Sequence, residues 1–291
     1  MQQVTVRVPA STSNLGPGFD CLGVALRIYN RVTVISGRLP EQSHPEVVSQ
    51  AAERFFKQAR RRAFPFSFSI VEEIPRSRGL GSSATIRLGI LHSLNRLSGD
   101  PLDRSTMFQL CADLEGHPDN AAPATFGGFA VVRSRQLGVA TVQRFKVSPQ
   151  LHFVLLVPEL EIRTSIARKL LPSKILHAAA VENCGNACAI TAAFVSKNYK
   201  KLRGAFVDFI HQPFRAKLIP FLPAVIAAAE KAGALGAFLS GSGSTICAIT
   251  LQDPSRVAAA MKRAAWSPLR IIVTRADNRG VHVVRSPIID H

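Results

Sequence analysis

Between Pro75 and Ala84 the chain reads PRSRGLGSSA, and this stretch constrains what can surround it. Ahead of it, Phe64, Phe66, Phe68 and Ile70 alternate with smaller or polar residues, the period-two pattern of a half-buried strand. Behind it, Ile86, Leu88, Ile90, Leu91, Leu94 and Leu97 fit one helix, with Ser82 or Ser83 as its cap. A strand therefore feeds a glycine-bearing loop that opens a helix. Gly79 and Gly81 can take positive φ and let backbone approach a ligand closely. The helix N-terminus adds unpaired N–H groups and a positive dipole end. No acidic residue lies between Arg76 and Ser83, and Arg76, Arg78 and Arg87 add positive charge. The combination suits a polyphosphate, although a bare turn would also use the glycines. Neither the Walker form nor the dinucleotide fingerprint fits, because the Lys and the glycine spacing they need are missing.

At 291 residues and 47% hydrophobic, the chain can build two domains, or one large one, around a sizeable core. Its five cysteines are odd in number and scattered. Cys184 and Cys188, four apart in an apolar helical context, read as small buried side chains rather than a metal pair. Reduced thiols in a cytoplasm are the expectation. The opening MQQVTVRVPA reads as a strand and not a signal peptide. With no run of eighteen apolar residues, no membrane span is expected. The net charge of +17 could suit nucleic acid, but the charges spread over the whole length. Arg60, Arg61 and Arg62 form the densest run, at the end of an amphipathic helix where cations favour the dipole. A general attraction to anions is the milder inference, and no nucleic-acid partner is expected.

In chain order, Val4, Val6 and Val8 mark a first strand, and Pro9–Gly23 reads as a long polar loop. Asn14 and Asp20 are its hydrogen-bonding assets, and Asx turns would account for both. A strand over 30–35, a linker over 37–45 and a helix over 46–60 follow. A helix over 103–114 carries Met107, Leu110, Cys111 and Leu114, and at its end Glu115, His117, Asp119 and Asn120 gather. Strands are expected over 129–133, 140–145 and 152–157. Thr164 and Arg168, four apart at a helix start, share a face. The small apolar stretch 175–194 reads as a buried packing helix. Another helix is expected from Phe206, ended by Gln212 and Pro213. Helices over 222–234 and 256–265 flank two short strands around Ser240, Gly241, Ser242 and Gly243, and strands over 270–274 and 281–284 close the chain.

Pro-x-x-x-Gly-Leu-Gly-Ser-Ser-Ala closely resembles the ATP-binding loop of the GHMP kinases. PASTSNLGPGFDCLG, Pro9–Gly23, is similar to the substrate loop of one branch, the homoserine kinases. Glu115 to Asn120, Thr164-x-x-x-Arg168 and Arg215-x-Lys217-Leu218-Ile219-Pro220 resemble further segments of that branch. The Ser240–Gly243 loop resembles its third motif, with Ser244 where Pro is usual. In this resemblance the segment's acidic residue precedes the histidine by four, whereas Glu115 precedes His117 by two.

The resemblance covers nearly the whole chain. It implies a two-domain α+β fold: an N-terminal domain over 1–150 like the second domain of ribosomal protein S5, and a ferredoxin-like C-terminal domain over 151–291. The active site would lie between them. It implies ATP-dependent phosphorylation of the hydroxyl of L-homoserine by a cytoplasmic enzyme. ATP would lie on Pro75, Arg76, Ser77, Arg78, Gly79, Leu80, Gly81, Ser82, Ser83 and Ala84. Mg²⁺ would be held by Ser83 and Glu115, with Asp113 and Asp119 as nearby carboxylates. Arg168 and Arg215 would take the substrate carboxylate, Asp20 its ammonium, and Asn14 and Asn120 its hydroxyl, with His117, Thr164 and Gly241 also at the substrate. Asn120 stands where related kinases place an aspartate base. An amide cannot take a proton, so the γ-phosphate is expected to accept it, with Asp119 next door left open. Three rivals remain: a sibling kinase for mevalonate or a sugar, a non-catalytic ligand-binding protein on this fold, and a basic RNA-binding protein. The last lacks aromatics to stack bases, with one Trp and two Tyr. A homodimer is allowed but not required.

Overall fold

Val4, Val6 and Val8 alternate along β1 (Gln3–Ser13), which pairs antiparallel with the long β2 (Leu22–Ser36). The computed structural model describes residues 2–37, 44–135 and 138–284. The β1–β2 register shifts between Pro9 and Ala10. Such a bulge re-aims the strand. Before it, Val6 and Val8 face a layer of helices; after it, Ala10 joins the core on the opposite side of the sheet. The β1–β2 pair therefore serves two cores. The expected polar loop is shorter than Pro9–Gly23, because β1 runs to Ser13 and β2 starts at Leu22.

The first half of β2 pairs with β4 (Phe129–Arg135) and its second half with β3 (Phe66–Glu72). β5 (Gly138–Phe145) pairs with β4, and β10 (His282–Val284) with β1. One face of this sheet is covered by α1 (Glu46–Ala59), α2 (Ser82–Leu97), α3 (Arg104–Glu115) and α4 (Ala121–Phe126). The linker expected over 37–45 lies mostly outside the described residues.

The second sheet runs β7 (Gly236–Leu239), β8 (Ile246–Thr250), β6 (His152–Pro158), β9 (Leu269–Arg275), all antiparallel. β6 is apolar at consecutive positions because both its faces are buried. Phe153, Leu155 and Val157 pack toward the first sheet, whereas Val154 and Leu156 pack under α8 (Leu222–Lys231) and α9 (Pro254–Ala264). The sheets change over between Phe145 and His152, yet β10 returns to the first sheet.

Three expectations are corrected. Residues 206–210 form no helix; α7 (Gln212–Arg215) begins where one was expected to end. Asp208 opens it by accepting the backbone N–H groups of His211 and Gln212. The small apolar helix is α6 (His177–Val195), and it lies largely on the surface. Only Asn183, Ile190, Ala193 and Phe194 are buried, and Cys184 and Cys188 are exposed. Its residues are small and apolar on every side, so the sequence gives no contrast that would reveal the outer face. Among the described residues α6 is also long and apolar enough to cross a membrane by length and composition, where no such stretch was expected; 22% of it is buried.

Candidate active site

The loop from β3 to α2 is held from two sides. Leu80 O accepts from Ser11 N of β1, and Gly79 O accepts from the Ser240 hydroxyl at 2.6 Å. Gly79 and Gly81 both have positive φ. A Cβ on Gly79 would stand 2.1 Å from Ser240 O, and one on Gly81 2.4 Å from Ser11 Oγ. The glycines are thus required by close protein neighbours as well as by any ligand. Gly81, not a serine, caps α2, and no side chain satisfies the first-turn N–H groups. That end of α2, free of acidic residues, offers its donors and dipole to an anion. The arginines expected to add positive charge are each paired: Arg76 with Glu72, Arg78 with Glu161 and Arg87 with Glu115. The backbone and the helix end carry the attraction here.

Ser83 Oγ donates to Glu115 Oε2 at 2.7 Å, and Arg87 donates to the other carboxylate oxygen. Glu115 is the last residue of α3, where a negative charge opposes the helix dipole. Arg87 offsets that cost. A hydroxyl and one carboxylate oxygen form a hard-oxygen pair, the donor set a nucleotide-bound Mg²⁺ uses. The residues fit such an ion, with the remaining positions open to phosphate and water. Asp113 points elsewhere, to Gln109 and Arg54.

A buried network lies beside this pair. Asn120 accepts from Ser11 Oγ at 2.8 Å and donates to Ser13 Oγ at 3.1 Å, so most of its amide is already engaged. Asp119 accepts from Asn120 N and meets His117 Nδ1 at 2.9 Å. Burial pulls the Asp119 carboxyl up, but the hydrogen bond and charge of His117, the Ser13 hydroxyl and Arg168 outweigh it and hold it below the usual carboxylate range. His117 is pulled down by burial, and Asp119 more than restores it, leaving it above the ordinary imidazole value.

The Asn14–Cys21 turn faces this network. Asn14 and Asp20 both take left-handed φ. Asn14 Nδ2 donates to Gly241 O at 3.1 Å and its Oδ1 accepts from Asp20 N at 3.1 Å, so Asn14 clasps two loops together. Arg168, on α5 (Thr164–Lys169), makes two hydrogen bonds to Asp20, at 2.7 and 3.1 Å. Thr164, one turn earlier, reaches Ser242 Oγ at 3.3 Å. Arg215 is buried and donates to Gly241 O at 2.9 Å. Its guanidinium and that of Arg168 each lie 5.3 Å from the ring of Phe19. Burial and then the Arg168 charge push Arg215 down to about 10, which leaves it a cation at neutral pH.

Sequence reasoning missed Phe19 and His211. His211 Nε2 lies 2.8 Å from Gly16 O, and Nδ1 lies 3.3 Å from the Arg215 guanidinium. Nε2 therefore carries the proton, and Nδ1 accepts from Arg215. Asp208 is 3.4 Å away and would favour a charged ring, but its carboxylate is taken by three backbone N–H groups, and burial drives His211 down to about 4. The ring is neutral. Its place three residues after Asp208 and four before Arg215, one turn each way, was the available signal.

One cavity of about 610 Å³ lies among these groups, with His211 and Asp208 behind its wall. It brings together the loop from Arg76 to Ser83, Glu115, His117, Asn120, Asn14, Asp20, Thr164, Arg168, Arg215 and Gly241; Pro75 and Ala84 stay outside its lining. Its lining also includes the apolar Val47 and Val48 of α1 and Phe68 and Ile70 of β3. Those residues read as ordinary core in the sequence. Ser244, where the resemblance has Pro, donates to Leu160 O and ties its loop to the start of α5.

Residues 46–128 match the family model described as GHMP kinases N terminal domain, and 191–267 match GHMP kinases C terminal. A homoserine kinase of Caldicellulosiruptor bescii is 36% identical over 302 residues, covering 96% of both chains. The chain belongs to the homoserine kinase family. A homoserine kinase of Aliarcobacter butzleri is 33% identical, covering 96% of this chain and 99% of its own. The crystal structure of the homoserine kinase from Cytophaga hutchinsonii superposes with a TM-score of 0.88 at 27% identity over 98% of each chain. A mevalonate kinase structure, at a TM-score of 0.72 and 16% identity, shares the fold. The two-domain GHMP kinase architecture, with ATP as cosubstrate, follows from family membership.

Proposed function

We infer that this chain transfers the terminal phosphoryl group of ATP to the side-chain hydroxyl of L-homoserine, giving O-phospho-L-homoserine. One observation carries the reading: Arg168, Arg215 and Asp20 line the same cavity as the α2 N-terminus. A neutral sugar would use none of the two cations and the carboxylate. An α-amino acid would use all three, its carboxylate on the arginines and its ammonium on Asp20. The adenine would lie beside the apolar Val47, Phe68 and Ile70, and the phosphates on the backbone of Gly79 to Ser83.

Phosphoryl transfer is chiefly positioning and charge neutralisation. Ser83 and Glu115 would hold Mg²⁺, which neutralises phosphate charge when bound. The Glu115 oxygen bonded to Ser83 is the one that would face the ion, since Arg87 holds the other. Asn120 cannot accept a proton, and Asp119, held against burial below the usual carboxylate range by His117 and Arg168, is a weak base. The substrate proton therefore passes to the γ-phosphate as the new O–P bond forms, and Asn120 serves to position the hydroxyl. Residues 1–150 would supply most of the nucleotide site and 151–291 the two arginines.

A coupled assay with homoserine, mevalonate and galactose in parallel tests this. Turnover of homoserine alone is expected. Equal turnover of either other alcohol, or of none of the three, would overturn it.

A further inference from the structure

Arg168 and Asp20 are assigned to opposite ends of the substrate, yet in this structure they bind each other. The guanidinium fork meets both carboxylate oxygens, at 2.7 and 3.1 Å. Both side chains are about one-third exposed, at 35% and 32%, and the exposed part faces the cavity. Asp20 is fixed by its left-handed backbone and by Asn14, and Arg168 lies against Phe19. Arg215 lies at the same 5.3 Å from that ring, close enough for the two guanidinium charges to repel.

We propose that this ion pair is an internal stand-in for the substrate and acts as a specificity filter that only a zwitterion can open. The proposal rests on the homoserine reading and deepens it. An amino acid brings a carboxylate for Arg168 and an ammonium for Asp20, so both partners exchange one charge-assisted contact for another. A ligand with only an ammonium leaves Arg168 unpaired, facing Arg215. One with only a carboxylate leaves Asp20 unpaired. An unpaired partner in a partly dry cleft costs more than the missing contact itself. Discrimination against singly charged alcohols therefore exceeds what a simple sum of contacts would give.

Two measurements test the filter. The first is a double-mutant cycle, Asp20→Asn with Arg168→Met, read as urea unfolding of ligand-free protein. The filter requires the two sites to be coupled there. The second is calorimetric binding of homoserine, 4-hydroxybutanoate and 3-aminopropan-1-ol to the parent and the single variants. The parent should bind only homoserine appreciably. In Asp20→Asn, 4-hydroxybutanoate should gain about tenfold, because Arg168 has no partner to surrender; in Arg168→Met, 3-aminopropan-1-ol should gain similarly. Additive unfolding effects, or singly charged ligands that gain nothing, overturn the filter while leaving the homoserine assignment intact. A parent that fails to bind homoserine while the cycle still shows coupling removes the substrate assignment instead.

Discussion

Glu115 and His211 show what single residues decide. The sequence offers three carboxylates within seven positions, Asp113, Glu115 and Asp119. Helical geometry separates the first two, because two residues turn the helix by roughly 200°. Only Glu115 meets Ser83, whereas Asp113 turns to Arg54 and Asp119 to His117. Replacing Glu115 by Gln should lower kcat by about two orders of magnitude or more at saturating Mg²⁺, a loss of a few kcal/mol of transition-state stabilisation. Steady-state kinetics would check it, and parental turnover would remove Glu115 from the metal pair. His211 makes a different prediction. Its neutral ring hands Arg215 an acceptor and hands Gly16 a donor. His211→Leu should raise the homoserine KM by about tenfold, the worth of one charge-assisted hydrogen bond, at unchanged ATP affinity. His211→Asn, whose Oδ1 can accept from Arg215, should recover part of that loss. Arg215 was legible from its segment; for the histidine behind it only the one-turn spacing was on offer, because burial and tautomer exist only after folding.

At the scale of elements, the nucleotide loop and α6 stand at opposite ends of legibility. Strand, glycine loop and helix appear in the sequence nearly as they fold, because each rests on local pattern. The neighbours of that loop do not. Gly81 abuts Ser11 and Asn120, so a Cβ there strikes protein before it could meet a phosphate. Gly81→Val should therefore weaken ATP binding and lower the melting temperature together; calorimetric ATP titration and thermal melts measure the two, and a variant with parental stability would contradict the packing account. In α6, periodicity reports a helix but not its depth. Phe194 stacks on Phe129 with ring centroids 4.3 Å apart, while Val181 is 59% exposed. Phe194→Ala should cost about 3–5 kcal/mol of unfolding free energy. Val181→Gln should change it by about 0.5 kcal/mol or less. Urea unfolding of the two variants side by side checks the orientation of the helix.

For the molecule as a whole, His92 and His211 tie stability to acid pH. Burial drives His92 down to about 3 and His211 to about 4. Both are neutral in the folded protein. Above the unfolded value of about 6.5 neither affects stability. Below it, the unfolded chain binds protons that the folded chain refuses, so each removes about 1.4 kcal/mol per pH unit until its own folded value is reached. His117, raised by Asp119, runs the other way: its contribution is complete below 6.5 and fades as pH climbs through its folded value. Urea unfolding at pH 7.5, 6 and 5 should show the acid slope, and His92→Gln should flatten part of it. None of this was visible in composition, since a histidine's burial depends on how the helices pack.

The returning strand has a consequence of its own. Ala276 bridges to Leu26, Asp277 bonds to Tyr29 and to the backbone of Ala25 and Gly128, Asn278 exchanges two hydrogen bonds with Val147, and β10 then lies along β1. On the ribosome β1 is made long before its outer neighbour β10. Until β10 emerges the nascent sheet carries an open edge along β1, a template for mispairing with another chain. Contacts this distant in sequence also close slowly. Closure of that sheet therefore waits on β10, and until it arrives the early edge must be kept apart from other nascent chains.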